Sequence, residues 1–240
     1  MITLEMLLGA LAAIGALMAW TRFSSRGRVD LNEGGRLLIV ALSSEDTDDI
    51  GRVVEAARAG VSHYKRTVPG IVARWRMILA SGLLLQGSLS SFDEAQALSG
   101  SLLDDPGMPK SLRVVVANQL AWAVASGVGP NDRSDLAMAE SRARLACDLF
   151  GWEAGLQDTL ALVLIRRRRF DEARRLADRV ASEISDRPPK DRASVACVQA
   201  LAALGQGDMD EARSHYEAAL ILDPHCRFLG EVAAGLGPTP

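Results

Sequence analysis

The side chains that could do acid–base, nucleophilic or metal chemistry are scattered along this 240-residue sequence. The three histidines, His63, His215 and His225, do not cluster, and only His225 has a cysteine beside it, Cys226. Because adjacent residues on a helix point about 100° apart, this pair predicts a surface histidine beside a buried cysteine rather than a metal site. No glycine-rich phosphate loop follows a predicted strand. We therefore expect no enzyme activity, no catalytic residue, no metal and no cofactor.

The cysteine content and the net charge limit which cellular compartment and which class of partner fit this sequence. The three cysteines are odd in number and include no Cys-x-x-Cys pair, so neither a disulfide framework nor a zinc knuckle is indicated. A reducing compartment fits best. The net charge of −3 provides no general attraction to nucleic acid, and we expect no nucleic-acid partner. Arginine greatly outnumbers lysine, which favours a GC-rich, bacterial source.

The strongest local charge is an arginine run at the end of a predicted helix. Cations there would meet the negative end of the helix dipole and would need no ligand. Alternatively, the run is a basic patch for an acidic protein segment or for anionic lipid head groups. Both interpretations leave the run exposed to solvent; it consists of Arg166, Arg167, Arg168 and Arg169.

An apolar run that could cross a membrane occupies residues 2–20 and contains one charged residue, Glu5. At 1.5 Å per residue such a helix is about 28 Å long, close to the roughly 30 Å of a bilayer's hydrocarbon core. Arg22, Arg26 and Arg28 follow the run and nothing basic precedes it, so the positive-inside rule places the rest of the chain in the cytoplasm. We expect a single-pass membrane protein with cytoplasmic repeats.

Two further interpretations of residues 2–20 concern cleavage and pairing. A cleaved signal peptide is the alternative to an anchor, but it calls for a basic start, whereas the start of this run carries the acidic Glu5 and the arginines lie downstream. Small residues at Gly9, Ala13, Gly15 and Ala16 would allow two spans to pack closely, so a homo-oligomer is among the expected partners.

Four later segments align with one another as the second helix of a helix pair. In each, a bulky residue is followed three places on by alanine, which lets two helices cross closely while the bulky side chain fills the space beside it. Ala139 and Ala173 lie 34 residues apart, the period of one tetratricopeptide unit. The segments begin at Phe92, Leu136, Phe170 and Met209, and their alanines are Ala95, Ala139, Ala173 and Ala212.

The last of these units resembles the tetratricopeptide repeat (TPR) family. The resemblance lies in Gly207-Asp-Met-Asp-Glu-Ala212, then Tyr216, Ala219, Leu220 and Asp223-Pro224. The segments 118–122 (NQLAW) and 158–161 (DTLA) are similar to the first helices of a bacterial variant of these repeats, so the likeness covers about residues 112–224. It implies a short right-handed α-solenoid of TPR-like helix pairs. Together with the N-terminal transmembrane helix predicted from the apolar run, the expected fold is all-α.

The expected organisation has three parts. Residues 1–30 form the transmembrane anchor and its basic flank, residues 31–69 an N-terminal helix pair and linker, and residues 70–240 the TPR-like repeats with a C-terminal capping helix. The first pair, 31–42 and 47–59, follows from spacing alone. Residues 36–42 could instead be a buried strand, but no other strand is available to pair with it.

The resemblance also implies a binding groove along the first helices. Three residues occupy equivalent places on successive first helices, and three apolar residues lie one turn further along. In the family such places hold a peptide. The alternative is that the two polar residues hydrogen-bond each other as a ladder while the apolar row packs under the C-terminal helix. The six candidates are Asn118, Asp158 and Cys197, then Trp122, Leu162 and Leu201.

Together these features predict a membrane-tethered adaptor or scaffold that binds a protein or peptide partner. The alternative function is a structural subunit, in which the same surface holds a larger membrane complex together.

Overall fold

The computed structural model of the protein describes residues 31–44, 46–64, 69–128 and 133–237. Within these ranges the chain forms eleven α-helices and no β-strand, so the helical prediction is confirmed and the strand alternative for residues 36–42 is wrong. The helices are α1 (Leu31–Ser44), α2 (Thr47–Tyr64), α3 (Pro69–Gln86), α4 (Leu89–Leu103), α5 (Lys110–Ala125), α6 (Arg133–Phe150), α7 (Ala154–Arg166), α8 (Phe170–Glu183), α9 (Pro189–Gln206), α10 (Met209–Leu222) and α11 (Leu229–Leu236).

Local sequence signals set several of these helix boundaries. Ser88, Glu153 and Asp208 precede α4, α7 and α10, and each side chain accepts a hydrogen bond from the backbone N–H three residues further on. Helix α9 begins after Pro188, and it ends at Gly207, whose φ of 81° lies in the left-handed region that favours glycine. Capping residues, prolines and glycines in the sequence therefore mark where these helices begin and end.

The helices form two layers. The odd-numbered helices, called the first helices below, contact one another in series from α1 to α11. The even-numbered second helices each pack beside their own first helix and against the next one. One continuous apolar core runs between the layers from α1 to α11. This is the arrangement of a short α-solenoid.

The alignment of the second helices agrees with the observed packing, with one exception. The four alanines at the predicted crossings are at most 1% exposed, and Phe92 is fully buried. Phe170 packs against Gly205 of α9. Met209, predicted to fill the same space, is instead 42% exposed, because the first helix that follows α10 is α11, with only eight residues.

The first helix pair joins the array through one tryptophan, Trp75 of α3, which is fully buried. A Cβ atom added to Gly34 of α1 would lie 2.4 Å from the Trp75 ring, and one added to Gly60 of α2 would lie 2.2 Å from it. The indole therefore sits directly against the backbones of both helices. Residues 31–69 lack a repeat signature, and these two glycines allow their helices to approach the Trp75 side chain of α3 closely.

The predicted membrane span, residues 2–20, lies outside the described residues. Among the helices that the structure describes, none has the length and apolarity needed to span a membrane.

Candidate functional site

All six residues predicted to line a groove lie on the first helices α5, α7 and α9, and all six are buried. None is more than 7% exposed. We call the surface to which they belong the first-helix face. The side-chain oxygen of Asn118, Oδ1, has no hydrogen-bond partner among the described residues. A polar link between first helices occurs one step earlier, where the Ser81 hydroxyl of α3 donates to Gln119 Oε1 of α5 at 2.8 Å.

The C-terminal segment, residues 226–236, covers the first-helix face. The Cys226 Sγ lies 3.5 Å from the Cys197 Sγ of α9. The Arg227 guanidinium stacks over the Trp122 ring of α5, with 4.8 Å between the guanidinium carbon and the ring centroid. One segment therefore reaches both the middle and the end of the described array, and its helix α11 packs on α9 and α10.

An ion pair ties the same segment to α7. Both Glu231 carboxylate oxygens accept hydrogen bonds from Arg166, one of them at 2.7 Å. Arg166 Nε also donates to the Ala125 carbonyl at 2.6 Å, at the end of α5. Of the apolar row, Trp122 thus lies under the C-terminal segment. The binding role of the six residues stays a prediction.

The other arginines of the run are held by acidic side chains rather than left free. Arg167 and Arg169 donate to the Glu140 carboxylate of α6, and Arg169 also donates to Glu172 of α8. Arg168 is exposed, has a φ of 60°, and makes no ion pair within the described part of the chain. The run therefore closes the end of α7 through ion pairs between helices, a role that the sequence reasoning assigned to the helix dipole alone.

Glu140 is the residue at the centre of this network, and the sequence reasoning missed it. Its side chain is 8% exposed and accepts hydrogen bonds from Arg144 at 2.8 Å, from Arg169 at 2.7 Å and from Arg167. Burial by itself would raise the pKa of Glu140, but the hydrogen bond from Arg144 and the charges of the three arginines more than offset it, so its pKa lies below the ordinary value. The only sequence signal was the four-residue spacing of Glu140 and Arg144.

We expect Glu140→Gln to lower the free energy of unfolding by about 2 kcal/mol, because the variant leaves three arginines around a neutral, buried side chain. In a protein of this size that corresponds to a melting temperature lower by roughly 5 °C. Since the folded-state pKa is lowered, the stabilisation is complete above the unfolded-state pKa of about 4.3 and is lost as the pH falls through the folded-state value.

The measurement is a series of thermal melts between neutral and acidic pH. The difference between wild type and Glu140→Gln should shrink as the solution becomes acidic. Glu217→Gln is the matched control, because Glu217 is exposed on α10 and makes no ion pair among the described residues. Equal shifts for the two variants would mean that the carboxylate of Glu140 is not held by the arginines.

A surface pocket of about 590 Å³ opens beside this network at the start of α8. Its walls carry charges of both signs. Arg169 pairs with Glu172, and Asp171 accepts a hydrogen bond from Gln206 Nε2 at 2.6 Å. Most of its charged groups are thus already paired. Across the residues that the structure describes, no three His, Cys, Asp or Glu side chains are grouped to hold a metal ion.

Comparison with known proteins identifies the fold. No protein-family model matches the sequence, and no curated protein matches it. Among solved structures, the crystal structure of TTC0263, a thermophilic TPR protein from Thermus thermophilus, is similar to this chain with a TM-score of 0.59 and 17% identity. The match covers 85% of this chain and 98% of that one. The predicted TPR-like, all-α solenoid is therefore confirmed as a fold.

Proposed function

We propose that this chain is a membrane-tethered scaffold that binds a protein or peptide partner on its first-helix face. The observation that carries the proposal is that this face already accommodates the chain's own C-terminal segment, since Arg227 stacks on Trp122 of α5 and helix α11 packs on α9. A surface that holds one polypeptide segment can hold a partner segment of similar chemistry. Solenoids of helix pairs generally act through such extended surfaces rather than by catalysis.

A polar atom on the same face supports recognition of a polypeptide. Asn118 Oδ1 is buried and has no hydrogen-bond partner in the described part of the chain. Because an unpaired buried acceptor is costly, a partner's N–H group delivered to this oxygen would be stabilising. Trp122, one turn away, is the residue type most enriched among binding hot spots. The pair offers an apolar anchor and a hydrogen-bond acceptor side by side.

The membrane tether and the orientation belong to the proposal and are supported by sequence alone. Residues 2–20 are apolar over the length of a bilayer core, and arginines follow them directly. This arrangement would keep the repeats beside the cytoplasmic surface of the membrane. The arginine run, by contrast, is mostly engaged with Glu140, Glu172 and Glu231, so we propose a structural role for it rather than a docking site.

A structural subunit of a larger membrane complex is the second candidate. Large apolar side chains project from the second helices, with Phe150 of α6 57% exposed and Ile221 of α10 84% exposed. A protein contact on that outer layer would cover them. If the contact joined two copies of this chain, the result would be a homo-oligomer.

Site-specific photo-crosslinking in washed native membranes distinguishes the two functions. A benzophenone amino acid replaces Trp122 in one variant and Phe150 in the other, each an aromatic-for-aromatic exchange. We expect a crosslinked species of higher mass from the Trp122 position and none from the Phe150 position. Crosslinks from Phe150 alone would favour the structural subunit, and recovery of the chain in the soluble fraction would contradict the tether.

A further inference from the structure

Two of the three cysteines lie in contact at the place where the C-terminal segment meets the array. The Cys197 and Cys226 sulfur atoms are 3.5 Å apart, with Cys197 on α9 and Cys226 in the connection between α10 and α11. A disulfide bond is about 2.05 Å long, so the two sulfurs need to approach by only about 1.5 Å. Cys147 is placed differently, on α6 in the apolar cluster that contains Val114 and Leu156.

We propose that Cys197 and Cys226 form a reversible disulfide that fastens the C-terminal segment over the first-helix face. The oxidant is a small-molecule disulfide of the glutathione class. The Cys226 thiolate attacks one sulfur of this disulfide and releases one small thiol. Cys197 then attacks the Cys226 sulfur, which breaks the mixed disulfide, and the Cys197 proton passes to the departing sulfur, so that the second small molecule leaves as a thiol. Two protein thiols are thereby oxidised, and one small disulfide is reduced to two thiols.

The surroundings of the two sulfurs assign these roles. The Cys197 and Cys226 sulfurs lie within hydrogen-bond distance, and either thiol can donate to the other. A hydrogen bond accepted from Cys197, with a further one from the Phe228 backbone N–H, lowers the pKa of Cys226 despite its burial. The same donated hydrogen bond and the burial of its sulfur raise the pKa of Cys197. The thiolate is the attacking species, and Cys226 is 6% exposed in a connection between helices whereas Cys197 is fully buried on α9. Cys226 therefore meets the small disulfide first, and Cys197 resolves the mixed disulfide. Burial raises the pKa of Cys147 to about 11, so little of this thiol is deprotonated at neutral pH.

The position of the Cys197–Cys226 disulfide determines whether a partner can displace the C-terminal segment. Cys226 precedes Arg227 and Glu231, which contact Trp122 and Arg166 on the first-helix face. With the thiols free, these contacts are noncovalent and a partner can displace the segment. With the disulfide closed, the segment is fixed to α9. Because disulfides in reducing compartments are typically transient and regulatory, the bond suits a switch better than a permanent staple. This consequence rests on the proposed function, whereas the disulfide itself does not.

The test uses the full chain in detergent micelles, incubated with reduced or oxidised glutathione and then alkylated. We expect peptide mapping of the oxidised sample to recover residues 197 and 226 in one disulfide-linked peptide pair, with Cys147 still alkylated. The melting temperature should rise by about 10 °C on oxidation and return with dithiothreitol. Cys226→Ser should abolish both changes, and Cys147→Ser should abolish neither.

Two results would overturn the proposal. The first is that Cys197 and Cys226 are still alkylated after incubation with oxidised glutathione. This result is obtained with the wild-type chain and requires no variant. The second is that the recovered disulfide joins Cys147 to another thiol. Failure of the proposed function looks different, because the disulfide would form and raise the melting temperature while crosslinking from the Trp122 position stays the same in reduced and oxidised membranes.

Discussion

Trp122→Ala should unfold at a markedly lower temperature than wild type. The indole is 5% exposed and lies under Arg227, so its removal leaves a large cavity between α5 and the C-terminal segment. Truncation of a buried tryptophan costs about 3 to 5 kcal/mol, equivalent to a fall of roughly 10 °C or more in the melting temperature of a protein of this size. Far-UV circular dichroism of the full chain in detergent micelles measures it.

Phe150→Ala is the control for this experiment, because Phe150 is 57% exposed and its loss should change stability by no more than about 0.5 kcal/mol. A second measurement isolates the contact with the C-terminal segment. In a double-mutant cycle, Trp122→Ala and Arg227→Ala should show a coupling of about 1 kcal/mol from the cation–π pair. Additive effects would mean that the segment does not rest on Trp122 in solution.

Gly60→Ala should destabilise the protein although alanine is the better helix former. The added Cβ would lie 2.2 Å from the Trp75 ring, which is fully buried and has no room to move aside. Overpacking of this kind costs about 1 to 3 kcal/mol, and we expect the upper end, only partly offset by a gain of about 1 kcal/mol in helix propensity. The melting temperature should fall by roughly 5 °C.

Gly51→Ala is the matched control in the same helix, since no atom lies within 4 Å of its added Cβ. It should raise stability by up to about 1 kcal/mol through helix propensity. The two substitutions are chemically identical, so the opposite signs come from Trp75 alone. If Gly60→Ala matched or exceeded Gly51→Ala in stability, the docking of α1 and α2 on Trp75 would be wrong.

Much of the fold could be predicted because helix pairs are encoded locally. The small residue at each crossing, such as Ala173 or Ala212, sits at a fixed distance from its helix start, and caps such as Asp208 mark where that helix begins. The crossing alanine is buried in each of the four aligned second helices, α4, α6, α8 and α10. Met209 departs from the pattern because its environment depends on the length of the following helix, which lies outside the repeat.

The candidate site was only partly predictable from the sequence. The resemblance placed Asn118, Asp158 and Cys197 on successive first helices, as the structure has them. The sequence left open whether a partner or the C-terminal helix covers this face. The Glu140 network was also missed, because a carboxylate with three arginine partners looks in the sequence like an ordinary helix-surface residue.

The sequence by itself therefore determined the helices, their pairing and the small residues at their crossings, since all of these follow from spacing within about 40 residues, the length of one repeat. Only the tertiary structure decided what covers the first-helix face. Arg166 and Glu231 are 65 residues apart, and Arg227 and Ser126 are 101 apart. Contacts at such separations depend on how the repeats stack and where the last helix turns back. The repeat spacing in the sequence gives no information about the stacking of the repeats or the direction of the last helix.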